Sequence, residues 1–343
     1  MKIRIFFISL ITTMFLAGCS NLGFQAQVLP PAQATPTTQM VEQPVITATP
    51  PSPTATVVSS PTAFTLGGAT GILFSSKRGG DYQDLYIQEF GSEKITRLTN
   101  GDSSTFPGPI SPNGQQIVFT GFGLTNSYIG VMNADGSDPV NLTNLPDVSD
   151  GFPAWSPDGN QIAFTSRRDG NNEIYVMDPY GYQIKQLTFN PTDDFAPSWS
   201  PDGNQIAFLS DRDNSTGIYS IYIMNIDGSN VKRLTNDGGN DYMPAWSPDA
   251  SQVAFRSVQQ GQSDIYSIAI DGTNLTNLTD DPAEDWSPSW SPDGSLIAFQ
   301  TDRDGNWEIY TMQANGSDPI NLTNNPTDDE IPYWKPSTDT ANP

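Results

Sequence analysis

A short phrase returns down this chain at a nearly constant interval. Trp-Ser-Pro-Asp-Gly stands at 155–159, 199–203 and 290–294, with variants at 246–250 (ending in Ala250) and 110–114 (Ile-Ser-Pro-Asn-Gly) and a remnant, Trp334-Lys335-Pro336. The lead residues are separated by 45, 44, 47, 44 and 44 positions. A period in the forties means that one supersecondary unit is copied, and no copy can bury its apolar surface alone. When the unit is made of short strands, the architecture that satisfies all copies at once is a β-propeller.

The unit beginning near Phe152 shows why its parts are strands. Pro153-Ala154-Trp155 is followed by the tight-turn residues Pro157-Asp158-Gly159-Asn160, then Gln161 to Thr165, a turn at Arg168-Asp169-Gly170, and Glu173 to Met177. A last turn leads to Lys185-Gln186-Leu187-Thr188, and elsewhere this turn reads Asp135-Gly136-Ser137, Asp227-Gly228-Ser229 or Asp271-Gly272-Thr273. Asp-Gly pairs suit hairpin turns because glycine takes a positive φ without steric cost. The middle strands are apolar on nearly every residue, as in Ile174-Tyr175-Val176-Met177. That pattern fits a strand buried on both faces, as in a blade packed between two neighbours.

Five units are complete. The piece from Gly71 to Asn100 has three strand-like segments but no Trp-Ser-Pro strand before them, and Ile331-Pro332-Tyr333-Trp334 is such a strand with nothing after it. Joining the two makes a sixth blade and removes the open sheet edges. The fold expected is therefore all-β: a six-bladed β-propeller of four-stranded antiparallel blades over residues 67–337, closed by pairing of the C-terminal strand with the N-terminal blade.

The segments outside the repeats differ. Lys2 and Arg4 precede an apolar run from Ile5 to Phe15 that ends in Leu16-Ala17-Gly18-Cys19. A basic start, a short apolar stretch and small residues mark an export signal, too short to span a bilayer. The ending resembles the lipobox of bacterial lipoproteins, so residues 1–18 read as signal peptide and Cys19 as the lipidated residue. It is the sole cysteine, which excludes an intrachain disulfide. Ser20 to Thr65 holds eight prolines, nine threonines and one charged residue, Glu42. Residues 19–66 therefore read as lipidated cysteine plus a disordered Pro/Thr-rich tether, and 338–343 as a disordered tail. The expected location is the cell envelope, on the outer face of the plasma membrane or on the outer membrane, with the propeller outside the cytoplasm and the lipid as its membrane contact.

Composition excludes several chemistries. With 38 Asp+Glu against 15 Lys+Arg and a net charge of −23, nucleic acid is repelled and basic segments are attracted. There is no histidine. His-dependent triads, His-ligated zinc and the usual near-neutral general base are therefore unavailable to the chain. Neither a cofactor nor a metal is expected. Two acid-rich loops, at Asp302-Arg303-Asp304-Gly305-Asn306 and Asp237 to Asp241, match no EF-hand pattern.

The string D-x-x-P-x-W-S-P-D-G-x-x-I-A-F-x-S-x-R-D-G-x-x-x-I-Y-x-M, followed by D-G-S and L-T, resembles the WD40-like repeat of TolB-type propellers over roughly residues 69–336. The resemblance implies protein binding through a ring face or the central channel. The chain departs from TolB in its lipobox, and in a Pro/Thr tether where that protein has a small α/β domain. The peptidase relatives of this fold carry a hydrolase domain that the chain does not have.

Two charged columns run through the repeats. Asp150, Asp194, Asp241, Asp285 and Asp329 stand five residues before the strand tryptophans, and Arg78, Arg168, Arg212 and Arg303 stand four after the second-strand phenylalanines. Folding the hairpin places Asp150 near Arg167 and Arg168, Asp194 near Arg212, Asp285 near Arg303, and through ring closure Asp329 near Arg78. The Ile110 unit lacks both partners (Thr105 and Gly123), and the Trp246 unit keeps Asp241 but has Gln259 for the arginine. These pairs either staple turns or form a rim at one channel mouth that receives a ligand, with Asp241 the least compensated. The function expected is a non-catalytic, monomeric scaffold that binds an envelope protein or a basic peptide. The alternative is a carbohydrate-binding or carboxylate-dependent polysaccharide-degrading propeller.

Overall fold

In a computed structural model, the chain is described over residues 65–337 except 93 and 214–216. The expected signal peptide, Cys19, nearly all of the Pro/Thr-rich stretch and residues 338–343 lie outside the described residues. Among the described residues, 24 strands, numbered β1 to β24 in chain order, form six antiparallel sheets of four. No helix among them is long and apolar enough to cross a membrane.

The innermost strands are β4 (Thr105–Ile110), β8 (Asp150–Trp155), β12 (Asp194–Trp199), β16 (Asn240–Trp246), β20 (Asp285–Trp290) and β24 (Asp329–Pro336). The first five open blades built from consecutive strands. The sixth blade has the order β24-β1-β2-β3, with β1 at Ala69–Ser76, β2 at Asp84–Glu89 and β3 at Ile95–Arg97. Ile72 pairs with Trp334 and Leu73 with Tyr333, so the last strand closes the ring against the first, as the repeat arithmetic requires.

Packing alternates with the pleat. Ile162 and Phe164 face the preceding blade, clustered with Val118, Ile129 and Trp155, while Ala163 between them faces the following blade and Trp199. The same alternation puts Ala207 with Trp246, Ala254 with Trp290 and Ala298 with Trp334. The recurring Ile-Ala-Phe thus has a steric reason. Its alanine leaves room for the next blade's indole in an interior packed as densely as an organic crystal. One interface inverts the sizes: Leu73 occupies the alanine position and meets Ile110 where the others have tryptophan.

Each innermost strand carries a β-bulge. Phe152, Ala196, Met243, Ser287 and Ile331 have φ between 49° and 56°, and each precedes a proline. The pairing register slips there, as between Gly151 and Ala154 or Phe195 and Ser198. Non-glycine residues adopt this conformation only where the surroundings enforce it. The neighbouring blade does so in two cases: the Ala196 amide donates to Thr165 Oγ1 at 3.1 Å and the Ile331 amide to Gln300 Oε1 at 2.8 Å. The extra residue bends the strand and turns its backbone toward the axis.

Candidate functional site

The six innermost strands enclose a central cavity of about 360 Å³, whose wall includes Phe106, Phe152, Pro197, Met243, Trp286 and Tyr333. It lies in the range of small-ligand pockets, which are mostly apolar with a few placed polar groups. The wall is apolar because each bulge presents a hydrophobic or small side chain followed by proline, a residue with no N–H to leave unsatisfied.

The predicted charges come together at one end of the innermost strands. The four acid–arginine pairs form: Arg168 to Asp150 at 3.4 Å, Arg212 to Asp194 at 2.8 Å, Arg303 to Asp285 at 3.1 Å, and Arg78 to Asp329 across the ring closure. Arg303 also reaches Asp281 at 2.8 Å. Each aspartate opens its innermost strand, and these strands are equivalent around the ring, so the pairs share one end. The carboxylates are fully buried (0 % exposed), whereas the arginines keep 14–22 % of their side chains exposed.

Each guanidinium is locked in three ways. Its Nε donates to the hydroxyl two residues earlier, at 2.9 Å for Arg168 to Ser166 and Arg212 to Ser210 and 3.1 Å for Arg303 to Thr301. Its planar face lies over two rings of its own blade, as Arg168 does over Phe164 at 5.2 Å and Tyr175 at 4.7 Å. Its Nη2 meets the acid. Burial with hydrogen bonds and an opposite charge is the condition under which a buried ion pair is tolerated. Even so, burial pushes the carboxyl of Asp150 up, and those of Asp194 and Asp285 up to about 6.

Asp241 differs, as its missing arginine implies. Two hydroxyls hold it, Thr235 Oγ1 at 2.5 Å and Ser257 Oγ at 2.7 Å, while Gln259 turns its amide to Asp237 at 2.5 Å. Burial raises its carboxyl to about 7, with Asp237 adding to the rise and Arg233 opposing it.

The sequence reading missed the aromatic wall inside these charges. Phe106 meets Phe122 edge-on at 5.6 Å, Phe152 meets Phe195 at 6.4 Å, Phe195 meets Tyr219 at 5.4 Å, and Tyr219 lies 6.2 Å from Tyr242. Trp286 and Trp307 follow at 5.0 Å. Arg256, buried, sits over Tyr242 at 4.8 Å and Trp286 at 4.0 Å and donates to Ser263 Oγ at 2.6 Å, fastening two of these rings. Burial pulls its guanidinium down to about 10. The signal was present in the column directly after each ring acid, or after Thr105 where the acid is missing: Phe106, Gly151, Phe195, Tyr242, Trp286 and Glu330.

The acid-rich loops are occupied internally. Asp302 accepts the Glu284 amide at 3.0 Å, Asp304 accepts from Asn321 Nδ2 at 2.8 Å and from the Tyr310 hydroxyl, and Arg303 between them turns to the ring. Among the described residues no group of three or more His, Cys, Asp or Glu could hold a metal ion.

Comparison with known proteins agrees with this architecture. The model of the TolB beta propeller domain matches residues 110–243 and 220–341, more than half of the chain. A protein TolB homolog of Chlorobaculum tepidum is 33 % identical over 121 residues, covering 35 % of this chain and 27 % of that protein. The Tol-Pal system protein TolB of Syntrophus aciditrophicus is 35 % identical over 108 residues, covering 31 % of this chain and 22 % of that one. The chain thus matches about a quarter of the length of these relatives. Among solved structures, TolB from Acinetobacter baumannii superposes with a TM-score of 0.68 at 23 % identity, over 79 % of this chain and 68 % of that one. With its repeats, ring closure and family match in agreement, the chain belongs to the TolB β-propeller family.

Proposed function

We propose that this is a lipid-anchored envelope protein that binds a protein or peptide segment at the aromatic mouth of its channel and performs no chemistry on it. The observation that carries this reading is the half-buried aromatic wall, held open by a rigid ring of ion pairs at one end of an apolar channel. Aromatic side chains on a rigid frame supply contact area at low entropic cost, and interface hot spots are built that way. The arginines contribute their exposed outer faces to the rim, and the buried aspartates keep them in place. The Tol-Pal system named for one relative favours a protein partner over a small molecule. The acids repeat with the blades and histidine is absent, which favours binding over catalysis. Cys19 would fix the propeller to the membrane through lipid chains, each buried CH₂ contributing about 0.8 kcal/mol.

Site-specific photo-crosslinking in cells tests the mouth. A crosslinker replacing Tyr242 or Phe106 should trap a discrete envelope protein, and one replacing the outer, exposed Val140 should not. Identical adducts from all three positions, or none from the mouth, would remove the proposal. Cys19→Ser should release the chain from membranes, and continued membrane attachment would contradict the anchor.

A further inference from the structure

Two positions of the column that builds the aromatic wall are not aromatic. Phe106, Phe195, Tyr242 and Trp286 are aromatic and Gly151 carries no side chain, but the closing strand places Glu330 there. Glu330 is 4 % exposed and lines the central cavity. No lysine or arginine nitrogen among the described residues lies within ion-pair distance of it. The Gln83 side chain is its hydrogen-bond partner, Lys77 attracts it through space without forming an ion pair, and Asp328 and Asp329 repel it. The four ring aspartates with arginines have their counter-charges built in. Glu330 forms no such ion pair, although it faces a space that a ligand can enter. A buried carboxyl without a counter-charge costs folding free energy, and burial raises this one to about 7. Such a cost is ordinarily retained where it serves a site.

Further acids lie near the aromatic wall. Asp193 and Asp211 act on Tyr219 of the aromatic wall, and Glu284 accepts from the Trp286 indole at 3.4 Å. The strongly negative net charge of the chain draws a cation toward the protein, and Glu330 is the carboxylate that it meets on the cavity wall.

We propose that the channel takes a lysine or arginine side chain carried on an otherwise apolar peptide segment, with Glu330 as its counter-charge and the prolines and aromatics of the wall as the surface for its flanks. This rests on the reading of the mouth as a peptide-binding site. Closing a buried carboxylate onto a cation restores the missing pairing, whereas an anionic or purely apolar segment would leave it unmet.

The test uses a phage-displayed random-peptide library panned on the purified full chain, on Glu330→Gln and on Ser198→Trp. The first variant is isosteric and keeps a partner for Gln83, so it should fold, as a melting curve would verify. The second fills the cavity from a half-exposed wall position. The wild-type chain should select peptides with one basic residue among apolar ones, Ser198→Trp should lose them, and Glu330→Gln should bind them about tenfold or more weakly. Peptides that need an open channel but carry no basic residue, or that bind Glu330→Gln equally, would overturn the counter-charge and leave the peptide site standing. Selected peptides that bind Ser198→Trp unchanged would overturn the channel as the site altogether.

Discussion

At the scale of single residues, two kinds of buried acid share one ring. Asp194 is stabilised by Arg212, and removing that guanidinium strands a charge inside the protein. Arg212→Ala is therefore expected to cost about 3–5 kcal/mol, read by chemical denaturation. Asp241 already lacks such a partner, so Asp241→Asn should leave stability unchanged or raise it; a loss comparable to that of Arg212→Ala would contradict the assignment. The sign of the pH dependence follows. A carboxyl whose folded-state value is raised takes up its proton more readily when folded, so its contribution is fully present below the ordinary carboxylate range and is lost as pH rises through the folded value. With Asp194 and Asp285 raised to about 6 and Asp241 and Glu330 to about 7, the chain should melt higher at pH 5 than at pH 8. Asp241→Asn should flatten that slope, and a melting temperature that rises from pH 5 to pH 8 would refute it.

At the scale of the element, the Ser-Pro-Asp-Gly hairpin turn explains itself. Ser156 Oγ donates to Asp158 at 2.6 Å and accepts from the Gln161 amide at 2.9 Å, while Gly159 takes φ 71°. In the Trp246 blade Ala250 holds this position at φ 57°. Ala250→Gly is expected to stabilise by about 1 kcal/mol, because an L side chain is strained there by roughly that much beyond the entropy that glycine loses. A lowered melting temperature would contradict the turn assignment. The size inversion at Leu73 and Ile110 offers a double-mutant cycle. Ile110→Trp alone should destabilise by about 1–3 kcal/mol through overpacking, and less in a Leu73→Ala background, since that pair restores the arrangement of the other blades. Strictly additive effects would mean that the two side chains do not share a space.

These elements also show what the sequence could and could not reveal. Strand count and ring closure were legible because Trp-Ser-Pro-Asp-Gly fixes the phase of every unit and the two ends complement each other. Trp155 does pair with Ile162, and the arginines do meet the aspartates. The bulge was not legible. It shifts the register by one, so that Asp150 pairs with Ser166 and Arg168 reaches back to it across the turn. Burial of the aspartates follows from that shift together with the stacking of arginine on Phe164 and Tyr175. The aromatic wall was not legible because its column does not repeat one residue: Phe106, Gly151, Phe195, Tyr242, Trp286 and Glu330 share a position but differ in identity.

At the scale of the whole molecule, everything proposed for the mouth depends on a closed ring. Only closure gives β1 a partner on its inner side, sets Arg78 against Asp329, and carries Glu330 to the channel wall. Amide hydrogen exchange on the full chain measures this directly. If the ring is closed as described, the paired amides of β24 and β1 exchange as slowly as those of β8 and β12, through global unfolding. Rapid exchange confined to Asp329–Pro336, with the other innermost strands protected, would mean an open ring and would contradict the account.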